Sequence, residues 1–370
     1  MTSADLPSAT APDRTSLAGR YWWLLPLAIA ICSRVFSLLL LLRYAGNPDP
    51  PPTMIDDASP MLAWDAGWYL HIAETGYHPQ PLRPSEVGGN HDFAFYPAWP
   101  IVIRLASLGG ALPMAGTAVV IANVLFILAA VAIYRYLMER FAPATALPAV
   151  VLLAFSPPAY VFSMAYSESL FLLIAALFFL DRFGRLSPFL GLLAALARVS
   201  GLAIGAAAAA VLVLRREARL GPFLVCASVA LGFGLWWVYI WQLTGRFTGW
   251  MQGSPSFSPY NGAGSVIHEL DTRFTFELLW AGFVLLMLLG SLLLLRRRPD
   301  LGLYALAAIG MSLVGAPAHS MPRHSMVAFP AFAAIAERLG PRLALVVAGL
   351  FAVGEFLFVD FAFGPLRRPP

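Results

Sequence analysis

Residues 187–214 read SPFLGLLAALARVSGLAIGAAAAAVLVL. An apolar α-helix needs about 20 residues to cross a bilayer. This stretch of 28 residues is too long for one crossing and too short for two full ones. Arg198, Ser200 and Gly201 interrupt it near the middle. It reads as a helical hairpin with a polar break at the tip. Irregular backbone at membrane depth is tolerated where it faces protein or a cavity rather than lipid.

The flanking sequence has the same character. Candidate spans occupy 21–44, 113–138, 144–163, 168–181, 220–243, 274–295, 299–317, 325–338 and 341–363. The chain of 370 residues is 59% hydrophobic and 12% charged. A soluble domain carries about 25% charged residues, so the class is an all-α, polytopic integral membrane protein. The expectation is about nine full spans plus the hairpin at 187–214. Residues 1–20 read as a disordered cytoplasmic tail, 21–363 as one transmembrane domain and 364–370 as a short tail. Segment 21–44 is too long for a signal-peptide core and lacks a small-residue cleavage site, so it reads as a retained first span.

The chain has arginine but no lysine, a usage that together with many alanines fits a GC-rich bacterial genome. Arg135, Arg140, Arg182, Arg185, Arg215, Arg216, Arg219, Arg296 to Arg298, Arg338 and Arg342 fall in connections of one parity. The positive-inside rule makes those connections cytoplasmic and places the N-terminus on that side. Loops 45–112 and 244–273 are then extracytoplasmic, as are 164–167 and 318–324. The first of these holds Asp49, Asp56, Asp57, Asp65, Glu74, Glu86 and Asp92. The expected location is the plasma membrane with the chemistry facing outward, away from cytoplasmic nucleotides. No GxxxxGK[ST] or GxGxxG pattern occurs. No basic stripe with interleaved aromatics suggests nucleic acid as a partner. Cys32 and Cys226 both lie in apolar segments and read as core residues rather than a disulfide.

Polar residues outside or within the spans carry two readings each. In AWDAGWYLHIAETGY (63–77), Asp65 suits a helix N-cap and Gly76 a helix end. A short helix 66–75 lying on the membrane would then put Trp64, Trp68, Ile72 and Thr75 on one face, with His71 and Glu74 solvated. In HDFAFYPAWPIVIRL (91–105), Pro97 and Pro100 define a turn before an amphipathic helix. Arg104 there either snorkels or lines a polar pocket with Tyr96 against Asp65. In SPPAYVFSMAYSESLFLL (156–173), Ser167 can cap the next helix and Glu168 can sit favourably in its first turn. Glu168 beside Tyr166 can equally bind sugar hydroxyls. Arg34 and Arg198 lie inside apolar segments, where an ionisable residue is a functional candidate or half of an internal ion pair. HSMPRHS (319–325) adds His319, Arg323 and His324. Its two histidines lack a third metal ligand, whereas the arginine suits a phosphate.

Five stretches resemble the PIG-V-like mannosyltransferases, members of the GT-C superfamily of polyprenyl-phosphate-sugar-dependent glycosyltransferases. They are WDAGWYLHIAETGY (64–77), AFYPAWPIVIRL (94–105), AYSESLFLL (165–173), ARVSGL (197–202) and, more loosely, PRHSMVAFPAF (322–332). The resemblance implies a GT-C fold, a lipid-monophosphate sugar donor and an active site on the extracytoplasmic side. It implies that Asp65 is the catalytic base and that Glu168 matches the glutamate of the Y-S/T-E-S pattern. The chain departs from the family at Val199, where proline is frequent, and at Arg323-His324, where Arg-Tyr is frequent.

Glycosyl transfer with inversion needs one base for the acceptor hydroxyl and fixed positive charge for the departing phosphate. The assignment is therefore Asp65 as catalytic base, and Trp64, Tyr96, Arg104 and Glu168 as substrate-binding residues. Arg198, Arg323 and His324 are assigned to the donor phosphate. Trp64, Trp68 and Tyr69 could form an aromatic shelf for sugar faces. The scheme requires no cofactor or metal, while admitting a divalent metal. The partners are a polyprenyl-phosphate sugar, a glycan, glycolipid or protein acceptor, and membrane lipid. Two other readings stand beside it: a lipid or solute transporter or flippase, and a non-catalytic scaffold subunit of a glycosylation complex.

Overall fold

A computed structural model describes residues 21–47, 59–79, 92–214, 220–248, 274–315 and 320–364. Every regular element among them is helical. In chain order these are α1 (Leu24–Leu42), α2 (Asp65–Thr75), α3 (Ala98–Ala106), α4 (Met114–Arg140), α5 (Pro143–Ala154), α6 (Glu168–Asp181) and α7 (Ser187–Ala197). They are followed by α8 (Leu202–Leu214), α9 (Leu220–Thr244), α10 (Phe274–Leu295), α11 (Pro299–Gly315), α12 (Met321–Ser325) and α13 (Phe329–Phe363). The expected tail 1–20 lies outside the described residues, as do His91, His319, most of loop 244–273 and, apart from Gly364, the expected tail 364–370.

Among the described residues five helices, rather than nine, are long and apolar enough to cross a membrane: α1, α4, α9, α10 and α13. The expected span at 144–163 is instead α5 followed by a 3-10 turn, Ala159–Ser163. Pro157 and Pro158 explain the interruption, because proline lacks an N–H and clashes with the preceding turn. Segment 168–181 is helical throughout, but its 14 residues fall short of the roughly 20 that a crossing needs.

Arg34 on α1 covers the break. Its Nη1 donates to Ala159 O at 2.8 Å and to Ser163 Oγ at 3.0 Å, and its Nη2 donates to Ala154 O at 3.2 Å. Its guanidinium also lies 4.2 Å from the Phe126 ring centroid. Arg34 thus satisfies carbonyls left open where the helix stops. The expected internal ion pair is not a direct contact: the guanidinium clamps backbone, while the buried Glu355 of α13 acts on it as an opposite charge at longer range. Nearby on the same bundle, Ser37 Oγ donates to Glu355 Oε1 on α13 at 2.5 Å.

The hairpin is present. The chain reverses at Arg198, whose backbone is extended (φ −163°, ψ 158°), between α7 and α8. Both legs lie against α9: a Cβ on Gly191 would meet Val229, and so would one on Gly205. Gly201 permits the reversal, since a Cβ there would sit 2.5 Å from Ala194 O. Legs of 11 and 13 residues reach only about 17–20 Å at 1.5 Å per residue. The tip therefore stops part-way along the bundle.

α13 also doubles back. Gly340 has φ 71° and Pro341 follows it. Phe332 and Phe351, on either side of this break, both pack on Phe283 of α10, at 6.3 and 5.8 Å. In a straight helix they would be about 28 Å apart. This matches the two expected segments 325–338 and 341–363, except that the first begins at Phe329.

The two ends of the bundle differ. At one, Glu139 pairs with Arg135 at 2.7 Å and with Arg182 at 2.5 Å. Arg135 covers Trp22 and Arg298 covers Phe141. The start of α6, the hairpin tip and α12 meet nearer the opposite end.

Candidate active site

Four charged side chains from four segments converge. Arg323 Nη1 of α12 lies 2.7 Å from Asp65 Oδ2 in the first turn of α2. Arg323 Nε lies 3.2 Å from Glu168 Oε1 at the start of α6. Arg198 Nη1, at the hairpin tip, lies 2.7 Å from the same Glu168 oxygen. Two carboxylates thus face two guanidiniums. Glu168 is 1% exposed and Arg323 7%, while the Asp65 side chain keeps 28%. Asp65 is the accessible member.

The contacts to Glu168 are close, yet its Oε1 and Oε2 and the Nε of both arginines lack an aligned hydrogen bond among the described residues. The distances are those of ion pairs and the N–H directions miss. The attraction is therefore Coulombic. Burial alone would lower the pKa of Arg323, but Asp65 and Glu168 more than offset this and hold it above its ordinary value.

Aromatic and hydroxyl groups frame the cluster. Arg323 lies 4.9 Å from the Tyr166 ring centroid, and Tyr166 OH donates to Ala63 O at 3.4 Å. Arg198 Nη1 donates to Ser167 Oγ at 2.9 Å, and Ser167 Oγ pairs with Tyr69 OH at 2.9 Å. Burial pushes the Tyr69 phenol up to about 12, so it keeps its proton. Arg323 Nη2 lies 3.1 Å from His324 Nε2. Because a guanidinium only donates, His324 Nε2 accepts there.

Backbone strain sets Asp65 in place. Trp64, immediately before it, adopts φ 52° and ψ −117°, a conformation that costs a non-glycine residue on the order of 1–3 kcal/mol. Surrounding contacts hold it: Trp64 packs on Phe363 at 4.9 Å, and Ala165 N donates to Met61 O at 3.0 Å. Trp99 Nε1 donates to Ala165 O at 2.9 Å. The peptide carrying Tyr166, Ser167 and Glu168 is thereby tied to the loop carrying Asp65.

Several expected roles change. Asp65 occupies the first turn of α2 and makes no side-chain cap; its carboxylate goes to Arg323 instead. Ser167 makes no cap either, because its hydroxyl is engaged by Arg198 and Tyr69. Helix α2 does not lie open on a surface: Ala66 to Leu70, Ile72 and Ala73 are buried, while Glu74 is exposed. The proposed shelf is spent on packing, with Trp68 stacked on Phe95 at 5.5 Å and Tyr69 edge-on to the same ring at 5.1 Å. His71 is half-buried and stacks on His78 at 5.4 Å. His78 pairs with buried Asp92 at 3.1 Å.

Tyr96 and Arg104 do not join the cluster. Tyr96 packs against Phe233 and Trp236 of α9, each at 5.9 Å. Arg104 Nη1 donates to Ala73 O at 2.9 Å and Glu74 O at 3.2 Å, closing the C-terminal end of α2. Its physical partner is the negative end of that helix. Tyr69 and Ser167 were missed as polar members. The sequence places Ser167 next to Glu168, but nothing local shows that α7 returns an arginine to it.

Comparison with known proteins gives the same direction. The family described as Mannosyltransferase (PIG-V) matches residues 51–201. That segment contains Asp65, Glu168 and Arg198 and ends before Arg323. The match bears out the resemblance read from the sequence: the chain is PIG-V-like over these residues. No curated protein matches the chain. The fold is similar to the Archaeoglobus fulgidus oligosaccharyltransferase tethered with an acceptor peptide containing the NVT sequon. The TM-score is 0.52 at 13% identity, over 95% of this chain and 56% of that one. The apo form of that enzyme gives 0.51 at 14% identity, over 96% and 57% respectively. This chain thus spans little more than half of that enzyme's length and has a similar fold.

Proposed function

We propose that this PIG-V-like chain of GT-C fold transfers a sugar, with mannose indicated by the family likeness, from a polyprenyl-phosphate donor to an acceptor on the extracytoplasmic face. The observation that carries this reading is the meeting of the accessible Asp65 with the buried Glu168, Arg198 and Arg323. Its open valences describe a ligand. The Nε groups of Arg198 and Arg323 call for anionic oxygen, and Glu168 Oε2 calls for a hydroxyl donor. A sugar phosphate offers both.

In the proposed step, Asp65 takes the acceptor hydroxyl proton as the acceptor oxygen attacks the anomeric carbon. The bond from that carbon to the phosphate oxygen breaks, and its electron pair stays with the phosphate. Attack and departure on opposite faces invert the anomeric centre. Negative charge therefore leaves Asp65 and appears on the phosphate. Arg323 contacts Asp65 before the reaction and shares Glu168 Oε1 with Arg198, so two guanidiniums are already in place for that charge. Fixed cations placed where charge develops are effective because they need no reorganisation. Glu168 Oε2 would hold a sugar hydroxyl. No cofactor is proposed; the lipid-linked sugar is itself the substrate.

The test is transfer from labelled polyprenyl-phosphate mannose by the purified protein. Asp65→Asn keeps the shape and removes the base, so transfer should fall by about 10²–10⁴-fold while membrane insertion is retained. Near-normal transfer by this variant sinks the assignment.

A further inference from the structure

We infer that Tyr69 and Ser167 together supply a neutral hydroxyl donor to the phosphate of the lipid-linked sugar, beside Arg198. This rests on the reading that the four-charge cluster binds such a donor. It adds two residues that charge patterning does not reveal.

The argument is a count of hydrogens. Tyr69 and Ser167 each carry one hydroxyl hydrogen and accepting lone pairs. Their oxygens lie 2.9 Å apart, and that bond uses one of the two hydrogens. Arg198 Nη1 donates to Ser167 Oγ, which fills an acceptor site and uses neither. One hydroxyl hydrogen is left without an acceptor among the described residues. Ser167 is 0% exposed and Tyr69 7%, so bulk water does not readily satisfy it. A buried donor without a partner is costly. The phenol keeps its proton because burial raises its pKa.

The chemistry of the missing acceptor follows from its neighbours. Arg198 is 8% exposed and its Nε is a second unmatched donor. Two open donors within one contact of each other favour an acceptor with more than one oxygen and negative charge. A phosphate has both. Which hydroxyl delivers the hydrogen depends on the direction of the Tyr69–Ser167 bond, so either residue can substitute for the other.

That redundancy gives the test. Tyr69→Phe and Ser167→Ala should each raise the KM for polyprenyl-phosphate mannose by about threefold, with a smaller change in kcat. The double variant loses both hydrogens and should raise KM by about thirtyfold, more than the product of the singles, in line with a hydrogen bond to a charged acceptor. Inhibition by farnesyl phosphate should weaken in parallel, while any inhibition by farnesol stays unchanged. Tyr69→Phe keeps the ring that packs on Phe95. Should the double variant melt well below the wild type, Tyr69→Phe/Ser167→Cys fills the same space with a much weaker donor and should raise KM above either single variant but by less than about thirtyfold, with wild-type KM overturning the inference. Wild-type KM and farnesyl phosphate inhibition in the folded double variant overturn the inference. Failure of the wild-type protein to bind farnesyl phosphate at all counts against the donor reading beneath it.

Discussion

Arg323 holds Asp65 at 2.7 Å while also reaching Glu168 at 3.2 Å, so one guanidinium serves two carboxylates on different helices. Arg323→Ala would leave the part-exposed Asp65 without its cation and Glu168 with Arg198 as its remaining partner, a cost below the roughly 3–5 kcal/mol of a fully uncompensated buried charge. It should lower the melting temperature in detergent and abolish transfer. Arg323→Lys keeps the charge but lacks the fork that reaches two partners. It should recover part of the stability and little of the activity. Equal recovery of both would show that charge alone suffices.

Arg198→Ala separates donor binding from chemistry. Arg198 touches Glu168 and Ser167 and has no contact with Asp65 among those described. Its removal should raise the apparent KM for the lipid donor by at least about tenfold, the scale of a lost charge-assisted hydrogen bond. An unchanged donor dependence would remove its phosphate role.

Arg104→Gln distinguishes the helix-end role from a place in the site. Arg104 binds carbonyls at the end of α2. Loss of that interaction should cost about 0.3–1 kcal/mol, with donor KM unchanged. A tenfold loss of transfer in a stably folded variant would return Arg104 to the site.

Gly201→Ala should be severe. The new Cβ would press on backbone at Ala194, 2.5 Å away, and would shift the tip that carries Arg198. A fall of more than about 2 kcal/mol in stability, together with loss of transfer, is expected for such overpacking. Gly349→Ala is the control, because nothing lies within 4 Å of a Cβ there. Near-identical behaviour of the two variants would show that the close approach at Gly201 is relieved cheaply.

Legibility from sequence followed the range of the interactions. Apolar length alone located α1, α6, α9 and α10 to within a few residues, and the polar break at Arg198 foretold the chain reversal there. The same rule over-read 144–163, because hydropathy averages across Pro157 and Pro158 while the backbone cannot. Asp65, Glu168, Arg198 and Arg323 were each identifiable as polar residues in unusual settings or through family likeness. Their pairing was not legible, since the partners lie on segments far apart in the chain. Local logic gave Asp65 and Ser167 to helix caps, and long-range partners took both. For Arg104 the opposite held: the polar pocket was the wrong setting and a helix end the right one.

The shared guanidinium also orders the assembly of the site in time. A chain emerges from the ribosome with its N-terminal part first. Asp65, Glu168 and Arg198 are all synthesised before Arg323. Until α12 docks, the half-made bundle carries two carboxylates against one arginine. Docking of Arg323 is then what brings the charges to two carboxylates against two guanidiniums, so the balance of the site depends on the segment made last.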